Sequence, residues 1–157
     1  KNIYPGYRTG ETSEEVTNRV NKVINDAAKK GYNTLLENHV SDYKELFDRV
    51  SLDLNEIAPN VPTDELIENY RNGIYSKALE ALVFQYGRYL TIASSREGSL
   101  PSNLAGLWSI GSPLWSGDYH FNVNVQMNYW PAFSTNLAEC GKVFAGYMSS
   151  LVIPGRK

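Results

Sequence analysis

Few residues in this chain invite an easy functional reading. It holds one cysteine, Cys140, so an internal disulfide and a thiolate-rich metal site are both excluded. There are two histidines, His39 and His120, and no Cys/His pairing with metal-ligand spacing. Neither sign of charge dominates: 15 Lys and Arg stand against 17 Asp and Glu, a formal net charge of −2. That balance leaves no basic stripe for nucleic acid and no polybasic arm for anionic lipid, so neither a nucleic acid nor a membrane is predicted as a partner. No apolar run approaches the roughly 20 residues that cross a bilayer. Residues 1–10 lack the apolar core of a signal peptide. A phosphate-cradling glycine loop, a G-x-S-x-G elbow and an HExxH helix are all missing.

Aromatic residues are present at 12% of the 157, and they are unevenly placed. All three tryptophans (Trp108, Trp115, Trp130) fall in residues 98–130, with His120 and the asparagines Asn122, Asn124 and Asn128. A connector between helices is ordinarily short and polar, because exposed apolar groups cost hydration free energy. A long aromatic one is expected either inside a larger body or along a concavity, where rings face a ligand and amides orient it. Sugars match this combination, since their hydroxyls take amide donors and acceptors while their C–H faces take an aromatic platform.

The rest reads as serial helices. Thr12 and Glu15 form a capping box, and Val16, Val20, Val23, Ile24 and Ala27 follow at helical spacing until Gly31. This face is expected to pack. A second helix over residues 32–49 carries Leu35, Leu36, His39, Val40, Tyr43, Leu46 and Phe47; His39, alone on an apolar stripe, is expected to be structural. Residues 50–54 alternate as a short strand does, and residues 55–62, with two prolines, make a turn or linker. Thr63 is expected to cap the next helix, which Asn72 and Gly73 end. From Ser76 to about Ser94 the apolar residues point nearly all round, the mark of a helix buried between neighbours. Arg88 in it is expected to tie a carboxylate or loop carbonyls. Pro131 suits the first turn of a helix, and Leu137, Cys140, Val143, Phe144, Tyr147 and Leu151 run through the last one.

The constellation with chemical content is His120-x-Asn122-x-Asn124. If the segment is extended, period two puts these three side chains on one face and Phe121, Val123 and Val125 on the other. Convergent polar groups on an apolar backing describe a binding wall; the alternative is that the amides satisfy buried backbone groups of a long loop. Asp118 would share the face of His120, and Glu97 and Glu139 are the other nearby carboxylates. Asp118 is therefore the best internal candidate for an acid or base, and Glu139 reads as a cap or salt bridge within its own helix.

At these residues the chain resembles a known family. LPSNLAGLWS and PLWSGDYHFNVNVQMNYWPAFSTNLAEC, with the upstream KGYNTLLENHVSDYKELFDRVSLDL and LVFQYGRYLTIASSR, are similar to the family 95 glycoside hydrolases, the inverting α-L-fucosidases. Ala105 stands where that family usually has Gln, Gly141 where it usually has His, and residues 109–112 replace its commoner Asn-Asp opening. The resemblance implies a mainly α fold with at most one or two short strands: a partial (α/α)6 barrel preceded by linker helices. Residues 1–62 would be the helical linker and short strand, and residues 63–157 the incomplete N-terminal part of the catalytic barrel.

It further implies hydrolysis of terminal α-1,2-linked L-fucose without metal or organic cofactor, and an extracellular or periplasmic setting. Asn122 and Asn124 would be catalytic, holding the attacking water and the fucosyl ring, and His120 and Asn122 would bind substrate. The acid and base carboxylates would lie beyond Lys157, which makes Asp118 a structural partner. Both ends of the sequence look cut, so a fragment is expected, inactive alone and partnered by the remainder of the catalytic domain and a fucosylated glycan. Two alternatives stay open: an α-L-galactosidase on the same scaffold, or a non-catalytic helical carbohydrate-binding or structural module.

Overall fold

The computed structural model describes residues 11–156; residues 1–10, read above for a signal peptide's apolar core, and residue 157 lie outside the described residues. Among the described residues six α-helices follow one another: α1 (Ser13–Lys30), α2 (Tyr32–Phe47), α3 (Thr63–Arg71), α4 (Lys77–Ser94), α5 (Asn124–Ser134) and α6 (Ala138–Leu151). Among the described residues there is no strand, only an isolated bridge between Asn103 and Gly106. The chain is therefore mainly α, as expected of part of a helical barrel. No helix among the described residues is long and apolar enough to cross a membrane.

Local signals act where they are expected. The Thr12 side chain accepts from the Glu15 N–H at 3.2 Å, and the Glu15 carboxylate accepts from the Thr12 N–H at 2.7 Å. Gly31, at φ 76° and ψ 159°, takes a conformation closed to side chains with a Cβ, so α1 stops there and α2 leaves in a new direction. Thr63 misses its expected role by one position: it is the first helical residue, Pro62 occupies the cap, and no side chain caps the helix.

The expected strand at residues 50–54 does not form. It has no partner strand, and the Val50 carbonyl is taken by side chains of α4, Gln85 Nε2 at 2.9 Å and Arg88 Nη1 at 3.1 Å. The linker that follows serves α4 in another way. Glu56 accepts from the Ser76 hydroxyl at 2.7 Å and from the Lys77 N–H at 2.9 Å, so a carboxylate sits at the positive end of that helix. These two bonds hold the Glu56 carboxyl below its ordinary range, the Ser76 bond contributing most. Because the folded value is depressed, the stabilisation is present above the unfolded carboxyl pKa and is lost as pH falls through the folded one. Glu56→Gln should therefore shrink the drop in melting temperature between about pH 6 and about pH 3. A drop of undiminished size in circular dichroism melts would contradict this role.

The core sits where four helices meet: Leu46 of α2, Ile92 of α4, Ala132 of α5, Cys140 of α6 and Leu137 just before it, with Tyr43 and Phe47 against them. Arg88, only 2% exposed, crosses this junction and ties carbonyls chiefly at the ends of α2 and α5, with one loop carbonyl, that of Val50. It donates to Leu46, Phe47, Val50 and Thr135 carbonyls at 2.9, 2.8, 3.1 and 3.3 Å. Gly141 lets α6 close on α5: a Cβ there would lie 2.6 Å from Phe133 Cζ. The Phe133 ring thus takes the room that a larger residue at 141 would need.

Two packing expectations fail. No residue of α1 is buried, and Val23 and Ile24 are 65% and 58% exposed. On α4, Leu79, Arg88, Ile92 and Ser94 are buried while Leu82, Val83 and Tyr86 are open. The apolar stripes are where periodicity put them, but α2, α3 and α5 cover α4 on one side only.

Candidate active site

The segment around His120 is extended only in part. Tyr119 and Phe121 lean on Tyr147 of α6, with ring centroids 5.0 and 6.1 Å away, while His120 turns the other way, its ring 6.0 Å from Trp115 and its Nε2 3.8 Å from Asp118. Alternation thus holds from Asp118 to Phe121. It then stops: residues 121–123 are a turn and Asn124 begins α5. The one-face strand geometry for residues 120, 122 and 124 is corrected accordingly.

What gathers these residues is a helix start. The His120 carbonyl accepts from the Val125 N–H at 3.1 Å, and the Phe121 carbonyl accepts from Gln126 Nε2 at 2.6 Å. A backbone loop from 120 to 125 is closed, and His120, Asn122 and Asn124 all lie on it. Val125, 1% exposed, anchors the loop in the core, whereas Phe121 and Val123 stay exposed. Among the described residues no hydrogen bond occupies the Asn122 or Asn124 side chain, so the reading in which both amides only satisfy buried backbone has no support here. Val123 stands at the cap position without a side-chain cap, which leaves N–H groups at the α5 start and the positive end of its dipole beside those amides.

Pro131 is not in a first turn. It lies eight residues into α5, near the C-terminal end, where it has no N–H for the Met127 carbonyl, and the helix ends three residues later. A missed device lies upstream: Trp115 and Ser116 adopt left-handed backbone, φ 55° and 58°, in a 3-10 turn at Leu114–Gly117. Such conformations cost non-glycine residues about 1–3 kcal/mol each and gather at binding sites. Here the turn sets the Trp115 ring edge-on to His120.

The nearby carboxylates divide. Glu139 pairs with Arg49, after α2, at 2.8 Å rather than within its own helix, and that guanidinium holds its carboxyl below the ordinary range. A carboxyl held ionised in this way is a poor proton donor near neutral pH. Asp118 is exposed and faces His120. His39 is exposed beside Tyr43, ring centroids 6.2 Å apart, and joins no site. Among the described residues no group of three or more His, Cys, Asp or Glu is placed to hold a metal ion.

A hollow of about 480 Å³ lies elsewhere, between Leu46, Arg96, Glu97, Glu139 and Lys142. Two of its charged walls are paired with residues in or just after α2, Arg96 with Asp42 and Glu139 with Arg49. A smaller cleft, of about 280 Å³, is bounded by Trp108, Asn103 and Asn128.

Residues 31–157 match the glycosyl hydrolase family 95 catalytic domain. The chain is 44% identical over 141 residues to "Probable alpha-fucosidase A" of Aspergillus niger, covering 87% of this chain and 17% of that protein. It is 39% identical over 154 residues to "Alpha-L-fucosidase 2" of Arabidopsis thaliana, covering 94% and 18%. With "Probable alpha-fucosidase A" of Aspergillus oryzae the identity is 38% over 146 residues, covering 90% and 20%. The chain thus spans about a fifth or less of the length of these relatives.

Proposed function

The chain belongs to glycosyl hydrolase family 95, and from that premise we propose that it is the front portion of the catalytic domain of an inverting α-L-fucosidase acting on terminal α-1,2-linked fucose of glycans. In this reading residues 1–62 are a helical linker and residues 63–157 open the (α/α)6 barrel. The observation that carries it is the family match running through a loop that presents two unoccupied asparagine amides and an imidazole at a helix N-terminus.

Asn122 and Asn124 orient the attacking water and the fucosyl ring, and His120, steadied by Asp118 and Trp115, contacts sugar hydroxyls. An amide carbonyl orients a water but has no useful basicity, so the proton passes to a carboxylate outside this chain. A second carboxyl, also outside it, protonates the leaving oxygen. Inversion requires the two to stand about 6.5–9.5 Å apart, with the water between one of them and the sugar. The uncovered faces of α1 and α4 pack, on this view, against the remainder of the domain, which is the chain's macromolecular partner.

Hydrolysis of nitrophenyl α-L-fucoside and α-L-galactoside by the full-length enzyme tests the proposal. The fucoside should be turned over with the higher kcat/KM, the first product should be β-fucose by NMR, and the 157-residue chain alone should release nothing. A preference for the galactoside would install the alternative sugar, and no turnover of either would end the hydrolase reading.

A further inference from the structure

Two tyrosine hydroxyls meet on one peptide group. The Tyr119 hydroxyl donates to the Pro101 carbonyl at 2.8 Å, and the Ser102 N–H donates to the Tyr129 oxygen at 2.8 Å. That carbonyl and that N–H belong to the same planar unit, in which they point in opposite directions, so one hydroxyl stands on each side of it. Pro101 and Ser102 are both buried. The unit is anchored in turn to the end of α4: the Ser102 hydroxyl donates to Ser94 at 2.8 Å, and the Ser95 and Tyr129 hydroxyls are 2.8 Å apart. Hydrogen bonds joined through one peptide group polarise one another, so each strengthens the next.

Both rings are also held by α6. Tyr119 lies with its ring centroid 5.0 Å from that of Tyr147, and Tyr129 stacks on Phe144 at 5.4 Å with 12° between the planes. A tyrosine side chain turns about only two bonds, so fixing its ring and its hydroxyl fixes the backbone that carries it.

The backbone held in this way bears the candidate site. Tyr119 immediately precedes His120, and Tyr129 is the sixth residue of the helix that Asn124 begins. Between these two anchors the segment is closed by the bond from the Val125 N–H to the His120 carbonyl. Among the described residues no hydrogen bond reaches the Asn122 or Asn124 amide, so these side chains take their places from the backbone. We propose that Tyr119 and Tyr129 are positioning residues for fucoside hydrolysis: through the peptide group between Pro101 and Ser102 they hold the two ends of residues 120–128 at a fixed separation, and with them His120, Asn122 and Asn124. The inference rests on the hydrolase reading above. Neither hydroxyl is assigned a contact with substrate.

The test uses the full-length enzyme with Tyr119→Phe, Tyr129→Phe and the double variant, which keep the rings and delete only hydroxyls. On nitrophenyl α-L-fucoside, assayed well below every melting temperature, kcat should fall about tenfold or more in each single variant with KM within about threefold, because a misplacement of under about 1 Å is enough for such a loss. The double variant should lie within about threefold of the poorer single one, since a segment freed at one end is already free. Leu79→Ala, at the opposite end of α4 from Ser94, controls for stability: it should lower the melting temperature and keep kcat within about twofold. A kcat within about twofold of the unmodified enzyme in both single variants overturns the proposal, as does a loss in Leu79→Ala that matches theirs. Amide hydrogen exchange of the same variants needs no turnover: deuterium uptake across residues 119–126 should quicken in both single variants while that of α1 stays the same. If the unmodified enzyme cleaves no fucoside, the hydrolase reading fails by itself and exchange decides the clamp, quicker uptake supporting it and unchanged uptake overturning it.

Discussion

Asn124→Ala in the full-length enzyme should lower kcat on an α-L-fucoside by about 10²–10³-fold or more while leaving the fold intact, the scale on which a positioned polar group acts in a transition state. The two halves of that expectation have separate causes. Asn124 is the first residue of α5 and among the described residues its amide bonds to nothing, so truncation leaves no buried group unmatched. Alanine is also the better helix former, so α5 should not fray.

Asn124→Asp makes the test sharper. A carboxylate at the uncapped start of α5 meets the positive end of the helix dipole and should raise stability by about 0.3–1 kcal/mol. The same change deletes the N–H donor and places negative charge where water and sugar must sit, so turnover should fall nonetheless. A melting temperature that rises while kcat collapses would be hard to obtain from a structural residue. A kcat within about fivefold of the unmodified enzyme in both variants would remove Asn124 from the proposed chemistry.

That loop shows where sequence reasoning reached and where it stopped. The capping box at Thr12 and the stop at Gly31 were legible because each is decided within a few residues of chain. Residues 122–128 mislead because Asn122-Val123-Asn124-Val125 alternates polar and apolar, as a half-buried strand does. The competing helical signal was present in Val125, Tyr129 and Ala132, spaced by four and three and all buried in the structure. With no second strand to pair, the helical period prevails, and Pro131 becomes a terminator rather than an opener. The candidate residues His120, Asn122 and Asn124 rest instead on their identity and order, which carry the resemblance whatever the backbone does between them. What no local pattern reveals is contact at a distance: Glu56 on the start of α4, Arg49 on Glu139, Trp115 bent by left-handed backbone toward His120. The open faces of α1 and α4 are a third kind of case, since periodicity states which residues want cover but not what supplies it.

The second large effect concerns Arg88, and it is one of stability. Arg88→Met keeps the aliphatic length but removes every donor, leaving carbonyls of Leu46, Phe47, Val50 and Thr135 without this partner in a part of the structure largely closed to water. Each buried carbonyl left unmatched costs about 1–3 kcal/mol, and several together are a large share of the roughly 5–15 kcal/mol that holds a domain together. Burial does push the Arg88 pKa down, but a guanidinium stays protonated in proteins, so the loss should not vary across neutral pH. Arg88→Lys keeps the charge without the fork that reaches several carbonyls at once, and should fall between the two. Arg71→Met serves as the control: its pair with Glu68, at 3.4 Å, is solvent-exposed and should contribute less than about 1 kcal/mol. Urea unfolding would rank the three, and an Arg88→Met midpoint indistinguishable from that of Arg71→Met would refute the assignment. The order matters for function as well. Thr135 caps the end of α5 and Leu46 and Phe47 end α2, so the guanidinium fixes the far end of the helix whose first residue is Asn124. Loss of that anchor should therefore weaken turnover in the full-length enzyme even though Arg88 touches no proposed substrate contact.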